Sequence, residues 1–147
     1  MSTELFIREA VISDIPAMHF VRTSVKENVL SDPSVVRESD YVEYISSRGK
    51  GWVSESGGNI VGFCIVDLRE KNVWALFVQP EFEGRGAGKQ LHDQMLHWVF
   101  LHSNEALQLS TTAETRAELF YRLNGWQEIG RKENGEIIFQ MQRRLYV

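Results

Sequence analysis

The chain has 147 residues, 43% hydrophobic and 24% charged, the composition of one soluble globular domain long enough to bury a core. Its formal net charge is −4 with a pI near 5.6, and no cluster of lysine and arginine builds a face for a run of phosphates, so nucleic acid is not the expected partner. No apolar run approaches the ~20 residues of a membrane helix, and the one cysteine, Cys64, can neither pair within the chain nor join a cysteine cluster for a metal. The expectation is a single domain over residues 1–147 in the cytoplasm, with no metal, no export and no membrane insertion.

"LFIREA" at residues 5–10 alternates apolar and polar and predicts a first strand. "SDIPAMHFVRTSVKENVL" predicts an amphipathic helix with Ser13 or Asp14 as N-cap, Pro16 in the first turn, and Met18, Val21, Val25 and Val29 on its apolar face. Asp32-Pro33 breaks that pattern, a mobile loop is expected over residues 30–39, and "ESDYVEYISSR" predicts a second helix ending at Gly49. "KGWVSE" and "NIVGFCIVDL" flank Ser56-Gly57-Gly58, which is hairpin chemistry. "VWALFV" is the next strand and runs directly into "PEFEGRGAGKQ", residues 80–90. A long helix follows, with Leu91, Met95, Trp98, Val99 and His102 at steps of three and four. "ALQLST" predicts a strand, "TAETRAELFYRLNG" a helix with Ala117, Phe120 and Tyr121 on one side, and "WQEIGR" with "EIIFQMQRRL" a terminal hairpin. The order β-α-α-β-β-β-α-β-α-β-β, without repeat or linker, gives one mixed, mostly antiparallel sheet of six to seven strands flanked by about four helices.

The glycine stretch carries the chemistry. A strand, a glycine-rich turn and a helix start bring backbone N–H groups and the positive helix end together, which is how a protein holds an anion without a metal. A plain strand-to-helix turn would need one glycine; Gly84, Gly86 and Gly88 alternate here between Arg85 and Lys89. A Walker A loop is excluded because position 83 is Glu and position 90 is Gln, so the first glycine and the magnesium-binding hydroxyl are absent. A dinucleotide fingerprint is excluded because the third glycine comes one residue early and no βαβαβ repeat surrounds it.

"LFVQPEFEGRGAGKQL" resembles the coenzyme A pyrophosphate loop of the GNAT superfamily of acyl-CoA-dependent N-acyltransferases, with Leu76, Val78 and Pro80 before the glycines and Gly86 and Gly88 in the two glycine positions. A second segment, "ETRAELFYRLNGW", is similar to the family's tyrosine near a helix end followed by Gly-aromatic, and the element order is also the family's. The resemblance implies a GNAT-like fold with two splayed central strands and acetyl-CoA as cosubstrate. It implies that the backbone of Arg85, Gly86, Ala87, Gly88 and Lys89 cradles the pyrophosphate, with Arg85 and Lys89 adding charge. The main chain of Phe77 and Val78 would meet the pantetheine arm and the thioester carbonyl, and Tyr121 would be the general acid. By its residues alone Tyr121 reads as a core tyrosine beside Phe120. Two positions depart from the family pattern. Glu83 stands where Gln or Arg is usual and is expected to face solvent or pair with Arg85, and Glu114 stands where many relatives carry an asparagine.

The implied activity is transfer of an acetyl group to a primary amine by direct attack in a ternary complex, with a small cationic molecule as the expected acceptor. A protein lysine or N-terminus is the alternative acceptor, and a non-catalytic acyl-CoA-binding sensor is the alternative class. A monomer or homodimer is expected. An alkylammonium needs a base before it can attack. Glu38, Asp40, Glu43, Glu55, Asp67 and Glu70 are the candidates, and each also reads as a solvated surface charge. His92, His97 and His102 spread over different faces of one helix, so they do not converge on a metal, whereas His19 falls near the region bordering the acceptor but reads first as a surface residue. Trp52, Trp74 and Trp126 read as core or sheet-face residues, with lining of an acceptor groove as the alternative, and the apolar setting of Cys64 argues for packing over an acyl-carrying nucleophile.

Overall fold

The computed structural model describes residues 4–27 and 36–146. Seven strands form one open sheet in the order β1-β2-β3-β4-β5-β7-β6. They are β1 (Leu5–Glu9), β2 (Gly49–Ser56), β3 (Asn59–Asp67), β4 (Asn72–Val78), β5 (Leu107–Thr111), β6 (Gln127–Arg131) and β7 (Ile137–Met141). The helices are α1 (Ile15–Ser24), α2 (Glu38–Ser46), α3 (Ala87–His102), α4 (Arg116–Leu123) and α5 (Arg143–Tyr146). All neighbouring strands pair antiparallel except β4 and β5.

Alternation in the central strands builds two cores. Trp52, Cys64 and Val66 face α3, packing with Leu91, Met95, Val99 and Phe139. Their sequence neighbours Val53, Phe63 and Ile65 face the other side, against Met18 and Val21 of α1 and Tyr41 of α2. Covering on both faces explains why "VGFCIVD" reads as a continuous buried run. Gly57 and Gly58 both take positive φ, 58° and 83°, which closes the two-residue β2–β3 hairpin as expected.

Several elements differ from the expectation for local reasons. Helix α1 ends at Ser24, where Val25 turns extended, while Val29 and Asp32-Pro33 lie outside the described residues. Residues 30–35 of the expected loop lie outside them too, and Glu38 and Ser39 already belong to α2. Asp14 occupies the N-cap position of α1, yet its carboxylate accepts from the Val11 N–H and the Arg8 guanidinium and does not cap the helix. Trp98 is half-buried and His102 exposed, stacked 4.3 Å apart at the end of α3. The last predicted strand stops at Met141 because Arg143 starts a short helix and donates from Nε to the Phe100 carbonyl at 2.9 Å. Trp126 precedes β6 and is buried in the α3 core.

An ion pair ties the end of β3 to the turn between α2 and β2. Arg48 donates from Nε and Nη2 to Asp67 Oδ2 at 3.0 and 2.9 Å, and the N–H groups of Arg69 and Glu70 reach Oδ1 at 2.9 and 3.3 Å. Burial pushes this carboxyl's pKa up, but Arg48 and the two N–H donors outweigh it and hold the value below the usual carboxylate range. A carboxyl whose folded pKa is depressed contributes stability in full above the unfolded value, near 3.9, and loses it as pH falls through the folded value. Asp67→Asn is therefore expected to cost about 2 kcal/mol at neutral pH. Urea unfolding at pH 7 and pH 3 checks this: the gap to the parent protein should narrow in acid, and a gap independent of pH would refute the assignment.

Candidate active site

The helix start gathers unpaired backbone N–H groups where the resemblance expects an anion. Gly86, at φ 90° and ψ 1°, occupies the N-cap of α3 without any side-chain cap, and its carbonyl accepts the first helical bond, from the Gln90 N–H at 3.0 Å. The N–H groups of Ala87, Gly88 and Lys89 therefore have no acceptor within the helix and sit at its positive end. They open onto a cavity of about 510 Å³ whose wall includes Val78, Gly84, Gly86, Gly88, Lys89 and Phe120.

The charges around this cradle are already engaged. Of the two arrangements expected for Glu83, the structure has the solvent-facing one: the residue is exposed, and its carboxylate pairs with Arg116 at the start of α4 and not with Arg85, whose guanidinium stands 5.1 Å from the Phe82 ring centroid. The short 3₁₀ turn at Pro80–Phe82 leaves Glu83 extended, and both Glu83 and Arg116 line the cavity. The Lys89 ammonium donates to Asp93 at 3.1 Å and Asn124 at 2.8 Å, so part of its charge is spent along the helix. Glu114, at φ 61°, is exposed and uses its N–H on Glu118 at 2.7 Å. With Glu83 neutralised by Arg116, Glu83→Gln is expected to change coenzyme A affinity by less than tenfold. Titration calorimetry measures this directly, and a tightening beyond tenfold would show that the carboxylate opposes the ligand.

Strands β4 and β5 run parallel and pair only at Asn72 and Gln108, where Gln108 N–H reaches the Lys71 carbonyl at 2.9 Å. Beyond that point they part. Register shifts between Ile65 and Val66, leaving Trp74 as an extra residue in β4, and such a bulge bends its strand. On the other edge Gln79 N–H donates to the Val61 carbonyl at 2.8 Å. Alternation along the antiparallel ladder then gives Phe77 its hydrogen bonds to Phe63 and turns the peptide groups of Leu76 and Val78 toward the gap. The backbone positions presented to a ligand are thus Leu76 and Val78, with Phe77 contributing its side chain.

A second cavity, about 250 Å³, lies across the gap and is walled by Arg22, Tyr41, Trp74, Thr111 and Glu136. Leu76, Phe77, Ala117 and Tyr121 line both cavities. Tyr121 is packed by Trp126 and Phe139, with ring centroids 5.6 and 6.1 Å away. Its hydroxyl makes no hydrogen bond among the described residues, and burial, with Cys64 nearby, pushes its pKa well above the usual phenol range.

Other candidates find structural roles. Glu55 pairs with Arg8 at 2.6 Å, Asp67 with Arg48, and Asp40 accepts from the Arg37 N–H at 2.7 Å; Glu43 and Glu70 stand 3.9 Å from Arg48. Neither these five nor exposed Glu38 lines either cavity. His19 Nδ1 and the Tyr41 hydroxyl hydrogen-bond at 3.0 Å, and burial pushes the Tyr41 pKa up to about 12. His92 is buried; because Trp126 Nε1 can only donate, His92 Nε2 accepts from it at 2.9 Å, which leaves the proton on Nδ1, facing Asp93. Cys64 is buried, its thiol 3.6 Å from the Leu91 carbonyl and its pKa raised by burial, which makes it inert. Arg22, Thr111 and Glu136 escaped the sequence reading because they come from α1, the end of β5 and the turn before β7, with no local motif.

An open mixed sheet thus carries a helix start with unpaired N–H groups on one side of a parted strand pair and a second pocket on the other, room for two ligands to meet at the gap. Residues 47–128 match the family described as acetyltransferase (GNAT) domain. A protein of Archaeoglobus fulgidus described as an uncharacterized N-acetyltransferase is 31% identical over an alignment of 132 residues that covers 79% of this chain and 88% of that protein. N-acetylaspartate synthetase of Rattus norvegicus is 28% identical over 88 residues, 56% of this chain and 29% of the rat protein's length. The crystal structure of the PaiA N-acetyltransferase from Thermoplasma acidophilum, in complex with coenzyme A, has a TM-score of 0.75 at 13% identity, covering 95% of this chain and 99% of that one. The chain belongs to the GNAT family of acetyltransferases.

Proposed function

We propose that the protein transfers the acetyl group of acetyl-CoA to the primary amine of a small molecule, by direct attack in a ternary complex. The observation that carries this reading is the junction at Leu76, Phe77, Ala117 and Tyr121, where the anion-cradle cavity meets the second pocket. The pyrophosphate would take the free N–H groups of Ala87, Gly88 and Lys89, and the peptide groups of Leu76 and Val78 would meet the pantetheine arm and thioester carbonyl.

In the transfer, the neutral amine nitrogen forms a bond to the thioester carbonyl carbon. An N–H on β4 stabilises the charge growing on the carbonyl oxygen. The C–S bond then breaks with its electron pair on sulfur. Tyr121 gives its proton to that sulfur and recovers one from the cationic amide nitrogen, so the net products are an acetamide, the free thiol and the proton the ammonium lost on entry.

A pocket of about 250 Å³ is the size of a small metabolite, which supports a small acceptor over a protein groove. The name of the rat relative, N-acetylaspartate synthetase, also points to a small-molecule product. Thiol release from acetyl-CoA, assayed against amino acids, polyamines, aminoglycosides and peptides, tests the reading. Release with small amines is expected. Release with peptides alone would move the acceptor to a protein, and silence with coenzyme A still bound would leave a sensor.

A further inference from the structure

Arg22 stands out among the cavity-lining residues. It projects from α1 into the acceptor pocket, its guanidinium carbon 4.2 Å from the centroid of the Phe77 ring, a residue at the junction of the two cavities. Its Nη1 is buried without any hydrogen-bond partner, and no carboxylate pairs with it among the described residues. The phenol of Tyr41 beside it is neutral, with a pKa pushed up to about 12. Arg116, which lines the other cavity, has a carboxylate partner in Glu83. A guanidinium cannot escape by losing its proton, so a buried donor left unmatched is a standing cost unless a ligand meets it.

We propose that Arg22 is a specificity-determining residue that binds a carboxylate of the acceptor, and that the acceptor is a small amine carrying that carboxylate, an amino acid or a close analogue. The inference rests on the N-acetyltransferase reading of the same pocket and replaces the purely cationic acceptor expected from net charge. The planar fork of Arg22 matches a carboxylate in two parallel hydrogen bonds. Phe77 holds the guanidinium over its ring and also lines the coenzyme A side, so a carboxylate anchored on Arg22 fixes how far the amine lies from the thioester. Glu136 is the one carboxylate among the described lining residues, and it is held in the β6–β7 turn by Asn134 at 2.8 Å. None of the described residues therefore offers Arg22 an anion, and a guanidinium so placed selects for a ligand that brings one.

The test compares kcat/KM for matched pairs of acceptors: glycine, β-alanine and 4-aminobutyrate against methylamine, ethylamine and propylamine, with aminoethylphosphonate and a short peptide as further arms. The parent protein should favour the carboxylated member by about a hundredfold, and Arg22→Gln should bring that ratio close to one, with Arg22→Lys between them. Equal rates for the two members of each pair, preference for the phosphonate or the peptide, or an unchanged ratio in Arg22→Gln would overturn the proposal while leaving acetyl transfer intact. If no amine is turned over, the transferase reading fails separately. The carboxylate site is then decided by calorimetry of glycine and 4-aminobutyrate on the coenzyme A-loaded protein: binding lost in Arg22→Gln supports it, and binding absent or unchanged overturns it. Thermal unfolding of the free protein adds an activity-independent check. Removing an unmatched buried charge should leave Tm equal or higher in Arg22→Gln, whereas a drop of several degrees with the ratio unchanged would assign Arg22 to packing alone.

Discussion

Tyr121→Phe is expected to lower kcat at least a hundredfold while coenzyme A affinity and Tm stay close to those of the parent protein. The ring is what packs: it lies among Phe120, Trp126 and Phe139, and phenylalanine keeps every one of those contacts. The hydroxyl has no protein partner among the described residues, so its removal breaks no hydrogen bond in the fold. What it loses is the one side-chain donor among the described residues at the junction of the two cavities. The raised pKa sharpens the expectation. Burial is the main cause, and it keeps the phenol protonated across the whole working range, so the pH profile of kcat should rise as the amine deprotonates and show no descending limb near pH 10, where an ordinary tyrosine would ionise. A phenol so weakly acidic cannot hand its proton irreversibly to a thiolate, whose conjugate acid has a pKa near 8.5. A Tyr121 that acts as the donor would have to couple the transfer to proton return from the cationic amide nitrogen, which requires both nitrogen and sulfur to lie within reach of one hydroxyl. Steady-state kinetics of Tyr121→Phe decide the matter: kcat within threefold of the parent would remove the residue from the chemistry, and a loss of coenzyme A binding would make its role structural.

The parts of this site that were legible in the sequence are those where backbone chemistry leaves a mark on residue type. Gly86 had to be glycine because the chain passes through φ 90° there, and the helix it opens carries no Ser, Thr, Asp or Asn cap that would occupy the free N–H groups. The hairpin at Gly57-Gly58 and the Thr115 cap of α4, which accepts from the Glu118 N–H, are local in the same sense. Arg22 belongs to the opposite kind. Nothing near it in "HFVRTSV" distinguishes it from a surface arginine, and only the packing of α1 over β4 brings it into a pocket with Tyr121, far along the chain. The partner of Glu83 was missed for the same reason, since Arg116 is remote in sequence whereas Arg85 is two residues away. Strand order follows suit: β7 enters between β5 and β6, a placement that a terminal hairpin's own pattern leaves open.

The glycine motif yields the second large effect, as a contrast between two positions two residues apart. Gly86→Val should weaken coenzyme A binding about a hundredfold, equivalent to roughly 2.7 kcal/mol. No clash causes this, because a Cβ at Gly86 would meet only the Gln90 amide, 4.0 Å away. The cost is conformational: a left-handed backbone is disfavoured by roughly 1–2 kcal/mol for an L residue, and more for a β-branched one. The chain can relieve it only by rotating the peptide between Gly86 and Ala87, which turns away the first of the N–H groups aimed at the pyrophosphate. Each such bond to a charged group is worth about 1.5–3 kcal/mol. Gly88 is different. It lies inside the first turn of α3 at negative φ, and a Cβ there would sit 3.8 Å from Val78 Cγ2 and 4.0 Å from Phe120 Cε1, ordinary contacts. Gly88→Ala should therefore raise Tm by about 2–4 °C through helix propensity, with coenzyme A affinity within about fivefold of the parent. Calorimetric Kd values and thermal unfolding of the two variants separate the causes. Equal losses of affinity would mean that space at the helix start governs binding, and normal affinity in Gly86→Val would mean that the three free N–H groups of α3 do not hold the pyrophosphate.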